Sequence, residues 1–316
     1  MFSIIIPLYN KAKYVEKALQ SVVNQTFKEF EIIVIDDGST DNSLNVVRNF
    51  QIFKFSNLKI IQQQNSGVSV ARNNGVKIAK YDYIVFLDAD DWWAENYLEE
   101  MVKLINDFPD AALWASSYFK VKNGKNIPAK IGVAENFERG YFDYFEAYSR
   151  SPYMPVNPIT ATIKKSVFNE MGGFKPKLKL GEDFDLWARI ALKYRTALIN
   201  KQLAFYNQDV EQQSRGVVFE KIYEPTTHFI FNLDYLQEQE AKNPVLKQVL
   251  DNLRVYTLAR YYTQNQYVAE FQKEIGKVDF EKQPESMQKF YKTPRTILKI
   301  KSKIIHKLHR LKQIIH

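Results

Sequence analysis

Apolar segments alternate four times with segments of helical periodicity in the first third of the chain. Each apolar segment is short and rich in Ile, Val or Phe, which is typical of a central strand buried on both faces. The predicted strands are 3–9, 31–35, 58–62 and 83–87, and the predicted helices are 13–25, 43–50, 68–79 and 95–106. Strands that alternate with helices at this spacing pair in parallel. The sequence therefore predicts an α/β fold, with a Rossmann-like, mostly parallel sheet flanked by helices.

Three aspartates, Asp88, Asp90 and Asp91, follow the fourth predicted strand. Carboxylates are costly to bury unless they are paired or bind a metal. Open α/β sheets bind ligands in the crevice outside the carboxyl ends of their strands. Mg²⁺ is commonly held by one or two carboxylates together with ligand phosphates. We therefore predict a divalent metal ion that clamps a diphosphate at Asp88-Ala89-Asp90. The alternative is a solvated acidic turn in which Asp91 caps the next helix.

Further polar residues are expected at the same edge of the sheet. Asp37 follows the second predicted strand and could accept hydrogen bonds from a nucleobase or ribose, or simply belong to an Asp-Gly turn. Tyr9 ends the first strand and could stack on a base, or be an ordinary aromatic residue. Arg72 lies one turn into the helix after Gly67, where a helix start and a guanidinium together can bind an anion. The alternative for Arg72 is a solvated surface position.

Two common phosphate-binding motifs are absent, since the chain contains neither G-x-G-x-x-G nor G-x-x-x-x-G-K-[ST]. A bound phosphate must then be held by the metal and by Arg72. Glu182 and Asp183 come just before a predicted helix at 184–194. A carboxylate there can serve as a general base toward a hydroxyl nucleophile, or as a helix cap. The four histidines have no metal-binding spacing.

Basic residues are concentrated in 295–316, which holds seven of the eight net positive charges and no acidic residue. Ile and Leu recur there at steps of three and four residues, as in a basic amphipathic helix that lies on an anionic membrane surface. A helix docked on the rest of the protein and a nucleic-acid-binding tail are the alternatives. The rest of the chain is nearly neutral, which argues against nucleic acid as a partner.

The predicted organisation has three parts: a nucleotide-binding and catalytic domain at 1–215, a helical region at 216–294 without strand signals, and the tail at 295–316. Residues 126–160 are predicted to be irregular. With 45% hydrophobic residues the chain can bury a large core, and the absence of cysteine excludes disulfides and cysteine-ligated metals. No signal peptide is expected, and no uncharged apolar run has the length of a membrane span.

Five sequence blocks, in order, resemble the family 2 glycosyltransferases, which are inverting enzymes with a GT-A fold. The blocks are 3–10, 21–27 with 31–41, 65–73, 86–91, and 172–174 with 181–183. The resemblance extends to about residue 187. It implies that Asp90 binds Mn²⁺ or Mg²⁺ across the diphosphate of a nucleotide-sugar, usually of uridine. It also implies that Asp183 is the base that deprotonates the acceptor hydroxyl. The residues expected to bind the nucleotide-sugar are Pro7, Tyr9, Asp37, Arg72, Asp88 and Ala89.

The sequence departs from this family in two places. Processive, membrane-embedded members carry transmembrane helices and a Q-x-x-R-W motif, and the nearest match here, at 212–216, lacks the Trp. We therefore expect a non-processive enzyme. The segment 205–208 also lacks the His or Arg that the family often places near the diphosphate.

The sequence thus predicts a metal-dependent enzyme that transfers a sugar, from a UDP-sugar in the first instance, to a lipid-linked or cell-surface polysaccharide or oligosaccharide. It is expected to be cytoplasmic, peripheral on the inner face of the cytoplasmic membrane. One alternative is a sugar-phosphate nucleotidyltransferase, which would need a glycine-rich phosphate loop that 9–13 does not provide. The other is a non-catalytic, membrane-peripheral scaffold or sensor with the same fold.

Overall fold

The computed structural model describes residues 1–53, 55, 57–151, 153–211 and 221–298. The chain separates into two compact units, Met1–Phe219 and Glu220–His316. Two predicted features lie outside the described residues. They are the nearest match to the Q-x-x-R-W motif, at 212–216, and most of the basic tail, 299–316. The predicted boundary after residue 215 stays a prediction.

The first half of the sheet is parallel, as the alternation of strands and helices predicts. Its elements are β1 (Phe2–Leu8), α1 (Val15–Val23), β2 (Phe30–Asp36), α2 (Ser43–Phe53), β3 (Leu58–Gln62), α3 (Val68–Ile78) and β4 (Tyr83–Phe86). Strand β1 lies between β2 and β4 and pairs in parallel with each, and β3 extends the sheet beyond β2. Ile4, Ile5 and Ile33 are fully buried, as expected for strands covered on both faces.

The second half of the sheet mixes parallel and antiparallel pairs. Its elements are β5 (Trp92–Trp93), α4 (Tyr97–Asp107), β6 (Ala111–Lys122), β7 (Lys125–Pro128), β8 (Arg139–Phe142), α5 (Tyr144–Ser149), β9 (Ala161–Lys164), α6 (Lys165–Glu170), α7 (Glu182–Ala191) and β10 (Arg195–Asn207). The strand order is β3-β2-β1-β4-β9-β6-β10-β5, with β7 on β6 and β8 on β10. Strand β9 is antiparallel to both β4 and β6, whereas β10 runs parallel to β6. The α/β fold class is confirmed.

One expectation about this half is wrong. Residues 126–160 are not simply irregular, because they contain most of β7, all of β8 and helix α5. Strand β7 is exposed along its whole length, and β8 has no fully buried residue. Such strands lack the alternating or continuous apolar pattern by which a strand is recognised in a sequence.

The second unit contains helices and no strand among its described residues. Its helices are α8 (Gln237–Lys242), α9 (Pro244–Gln264), α10 (Val268–Ile275) and α11 (Glu285–Lys292). Arg254 of α9 is buried and ion-paired with the carboxylates of Glu240, Asp251 and Glu274. Within the described part of the chain, no helix has both the length and the apolar character that a membrane span requires.

Candidate active site

The carboxyl ends of β1, β2 and β4 meet at one edge of the sheet, as parallel pairing requires. Leu8 lies opposite Asp36, and Ile5 lies opposite Phe86. The residues that follow these strands are therefore neighbours in space. This edge carries Tyr9 after β1, Asp37 after β2, and the acidic turn 88–91 after β4.

Arg72 links this acidic turn to the start of α7. Its Nη2 donates to Asp88 Oδ1 at 2.7 Å, and its Nη1 donates to Glu182 Oε1 at 3.2 Å. The Arg72 side chain is only 3% exposed, so the alternative of a solvated surface arginine is wrong. Its guanidinium also lies 5.1 Å from the centre of the Phe174 ring. A buried arginine with two carboxylate partners fixes Asp88 and Glu182 relative to each other.

Asp90 and Asp91 are held by different partners. The Lys11 ammonium donates to Asp90 Oδ2, and the backbone N–H of Asn207, at the end of β10, donates to Asp91 Oδ1 at 2.7 Å. The next helix, α4, begins at Tyr97 with Asn96 at the cap position, so Asp91 is not a helix cap. Burial, with Asp90 and Asp88 close by, holds the pKa of Asp91 well above its ordinary value.

Asp183 occupies the first turn of α7. Gly181 precedes this helix with φ = 76°, a left-handed conformation that glycine adopts without steric cost. Asp183 Oδ1 accepts the backbone N–H of Phe184 at 2.7 Å. Removal from water, reinforced by the charge of Glu182, raises the pKa of Asp183 to about 7, although Arg72 opposes the shift. A carboxylate with this pKa suits proton abstraction near neutral pH.

Carboxyl groups outnumber cations at this edge. Asp88, Asp90, Asp91, Glu182 and Asp183 supply five carboxyl groups, and within the described parts of the chain Arg72 and Lys11 form the ion pairs that reach them. No set of three or more acidic or histidine side chains among the described residues is arranged to hold a metal by itself. Mg²⁺-type sites commonly use one or two carboxylates and complete their shell with ligand phosphates and water. Asp88 and Asp90 fit a site of that kind.

Asp37 holds the loop that leads into α3. Its Oδ1 accepts from the Gln63 side chain and from Ser66 N, both at 2.7 Å, and its Oδ2 accepts from Gly67 N at 2.8 Å. A plain Asp-Gly turn would not require these three contacts of Asp37 with residues 63–67. Tyr9 is 45% exposed at the same edge, so its ring is accessible to a planar ligand.

The sequence profile described as Glycosyl transferase family 2 matches residues 3–172, more than half of the chain. The chain belongs to glycosyltransferase family 2.

Among curated relatives, glycosyltransferase GlyA of Streptococcus pneumoniae is 34% identical over 125 residues, which are 40% of this chain and 18% of GlyA. The chain thus spans less than a fifth of the length of that relative. Two solved structures share the fold. TarS of S. aureus in complex with UDP-GlcNAc has a TM-score of 0.71 at 21% identity, over 92% of this chain and 83% of the other. The mannosyltransferase PcManGT of Pyrobaculum calidifontis, in complex with GDP-Man and Mn²⁺, has a TM-score of 0.54 at 19% identity, over 87% of this chain and 73% of the other.

This family 2 protein also has site residues that the sequence alone did not identify. Lys11 reaches Asp90 across 79 residues of sequence, a contact that no local motif signals. Asn73 exchanges two hydrogen bonds with the backbone of Phe174, at 2.7 and 3.0 Å, and so fixes the loop before α7. The only feature of the sequence that pointed to Asn73 was its place in the 65–73 block, next to Arg72.

Tyr206 of β10 is a further such residue. Removal of its hydroxyl from water, with Asp91 and Asp88 as the next causes, raises the pKa of Tyr206 to about 12, although the residue as a whole is 37% exposed. Asp90 and Asp183 contribute in the same direction. Tyr206 thus keeps its proton at neutral pH and presents a hydrogen-bond donor among the acidic groups of the site.

Proposed function

We propose that this protein is an inverting, metal-dependent glycosyltransferase. It transfers one sugar at a time from a nucleotide diphosphate, with a UDP-sugar as the first candidate, to a lipid-linked or cell-surface polysaccharide or oligosaccharide. The observation that carries the proposal is the buried Arg72, whose two ion pairs join the acidic turn after β4 to the start of α7. This bridge brings a candidate base beside a candidate diphosphate site.

The donor occupies the crevice at the carboxyl ends of β1, β2 and β4. The exposed ring of Tyr9, beside Pro7, packs against the nucleobase. Asp37 shapes the 63–67 loop through its three hydrogen bonds and keeps one lone pair of Oδ2 for the ribose or base. Arg72 and the backbone at Ala89 face the phosphate end. The fold shared with a UDP-GlcNAc complex agrees with a nucleotide-sugar donor.

Asp88 and Asp90 are the residues that would hold Mn²⁺ or Mg²⁺. When bound, the ion supplies Lewis-acid stabilisation of the charge that develops on the leaving diphosphate. The donor set fits, because the five carboxyl groups of the edge exceed the two cations that pair with them within the described parts of the chain. PcManGT, which shares the fold, is in complex with Mn²⁺.

Asp183 accepts the proton of the acceptor hydroxyl. The acceptor oxygen forms a bond to the anomeric carbon as the bond from that carbon to the diphosphate oxygen breaks. The nucleoside diphosphate leaves with the electron pair, and attack opposite the leaving group inverts the anomeric configuration. The raised pKa of Asp183, about 7, makes its carboxylate a stronger base than an ordinary aspartate. Arg72 positions Asp183 indirectly, through its hydrogen bond to the adjacent Glu182.

The tail at 295–316 places the enzyme on the inner face of the cytoplasmic membrane, beside a lipid-linked acceptor. This part of the proposal rests on the sequence, since 299–316 lie outside the described residues. Each of its seven basic residues contributes about 1 kcal/mol near an anionic surface. A chain ending at Pro294 should lose binding to anionic liposomes but keep its nucleotide affinity. Unchanged liposome binding would refute the membrane role.

A thermal-unfolding panel with UDP, GDP, dTDP and CDP, each with and without Mn²⁺, tests the donor site. A nucleotide at 100 times its dissociation constant stabilises by about 2.7 kcal/mol, which is a shift of roughly 5–10 °C for a protein of this size. We expect the largest shift with UDP and Mn²⁺, and the Mn²⁺-dependent part should disappear in Asp90→Asn. Asp183→Asn should keep the shift but lose sugar transfer. The absence of a shift with every nucleotide, together with no detectable transfer, would contradict the proposed function.

A further inference from the structure

Lys11 forms an ion pair with the carboxylate proposed to bind the metal. Its ammonium donates to Asp90 Oδ2, and the two side chains are 12% and 18% exposed. The neighbouring Lys13, by contrast, is 68% exposed and pairs with Glu211 at 2.5 Å. The Lys11–Asp90 pair is therefore a partly desolvated contact inside the site, where a charge that loses its partner is destabilised more than at the surface.

The backbone fixes Lys11 in this place. Its N–H donates to Ser43 Oγ at 2.7 Å, which ties the segment after β1 to the start of α2. The preceding Asn10 has φ = 51°, and its Oδ1 accepts from Thr40 N at 2.8 Å. Asn10 tolerates this left-handed conformation better than most residues, because its short polar side chain hydrogen-bonds locally. The hydrogen bonds that join Asn10 to Thr40 and Lys11 to Ser43 thus hold the turn that places Lys11 beside Asp90.

An ammonium group and a divalent cation cannot share one carboxylate oxygen without strong repulsion. Like charges repel more strongly in a partly desolvated site than in water, and a divalent ion doubles the repulsion that a single positive charge would exert. We therefore expect Lys11 to leave Asp90 Oδ2 when a metal ion binds this carboxylate. Its four-carbon side chain can turn toward a new anion, and a nucleoside diphosphate brings one to the same edge of the sheet.

We propose that Lys11 competes with the divalent cation for Asp90 and transfers its charge to the diphosphate when metal and nucleotide bind together. This inference rests on the proposed function and adds a donor-binding residue to it. Lys11 thereby weakens metal binding to the free protein and strengthens it in the presence of nucleotide. By linkage, the metal strengthens nucleotide binding by the same factor.

Mn²⁺ binding provides a test that does not depend on turnover. Free Mn²⁺ is measured by electron paramagnetic resonance during titration of the wild type, Lys11→Met, Lys11→Arg and Lys13→Met, each with and without UDP. We expect Lys11→Met to bind Mn²⁺ about tenfold more tightly than the wild type without UDP, which is within the usual range of coupling between sites. UDP should then raise the Mn²⁺ affinity of this variant much less than it raises that of the wild type. Lys11→Arg keeps the charge and should behave like the wild type, as should the matched surface control Lys13→Met.

Two outcomes separate this inference from the proposed function. If Asp90→Asn abolishes Mn²⁺ binding while Lys11→Met leaves the affinity unchanged or lowers it, the competition is wrong and the metal site stands. If Asp90→Asn binds Mn²⁺ as tightly as the wild type, the metal assignment itself fails, and the role of Lys11 fails with it. Thermal unfolding of each variant confirms that it is folded before titration. If Lys11→Met does not fold, the charge-retaining Lys11→Arg and a Lys11→Gln variant carry the same comparison.

Discussion

The rate of sugar transfer should rise about tenfold between pH 6 and pH 8, with its midpoint near pH 7. The reason is Asp183, whose pKa of about 7 is raised by burial and by the charge of Glu182. A base acts in its ionised form, and a group of pKa 7 is about one-tenth ionised at pH 6 and about nine-tenths ionised at pH 8. An aspartate with an ordinary pKa would be ionised throughout this range, and the rate would be flat.

The decisive variant is Glu182→Gln, which removes a negative charge next to Asp183. Because that charge favours the protonated form of Asp183, its loss should move the midpoint to lower pH. The assay is the pH dependence of kcat/KM for the acceptor at saturating donor, which reports the ionisable groups of the enzyme form that binds the acceptor. Glu170→Gln is the matched control, since Glu170 is exposed on α6 and pairs with Lys193. A flat profile in the wild type, or a midpoint that Glu182→Gln leaves in place, would refute the assignment of Asp183 as the base.

Three further predictions concern stability and loop order. A raised carboxyl pKa costs stability as the pH rises from about 4 to 7, so Asp183→Asn should stabilise the protein at pH 8 by up to about 4 kcal/mol and not at pH 4, by calorimetry. Arg254→Met removes the buried cation shared by Glu240, Asp251 and Glu274 and leaves them only the partly exposed Lys247 and Lys277; urea unfolding should show a loss of about 3–5 kcal/mol, against under 1 kcal/mol for the exposed Arg260→Met on the same helix. Asp37→Ala removes three hydrogen bonds from 63–67 and should weaken UDP binding at least tenfold by titration calorimetry, and an unchanged affinity would exclude Asp37 from the donor site.

The parallel half of the fold was readable from the sequence because its strands are apolar on both faces and its helices carry apolar stripes. The structure places β3 at the predicted residues and the other three strands within one residue of the predicted ends. Strand β10 has no comparable signal. It contains exposed residues at Arg195 and Lys201 and shifts its register against β6 three times. Its pairing depends on tertiary contacts that local composition does not encode.

The acidic members of the site were also predictable, because carboxylates that follow buried strands need a reason to be there. Arg72 was also expected in the site, but the pairing of Arg72 and Lys11 with these carboxylates was not predicted. Arg72 is a charged residue in a helix, and such a residue is usually expected on the helix surface. Its burial is tolerable only because Asp88 and Glu182 form ion pairs with it. Lys11 belongs to no motif. In both cases the paired charges are far apart in the sequence. A sequence shows where the charges are but not which of them come together in the fold.

The ion-paired bridge through Arg72 restricts how this site can change over evolutionary time. If Arg72 is lost, two carboxylates remain partly desolvated without their cation; if Asp88 or Glu182 is lost, the buried guanidinium keeps one partner. Residues in one such network couple by about 0.5–3 kcal/mol, so their substitutions do not add. The three positions should therefore vary together or not at all. Under the proposed roles, substitutions of Glu182 at the start of α7 will accordingly be tolerated only when Asp88 changes in step.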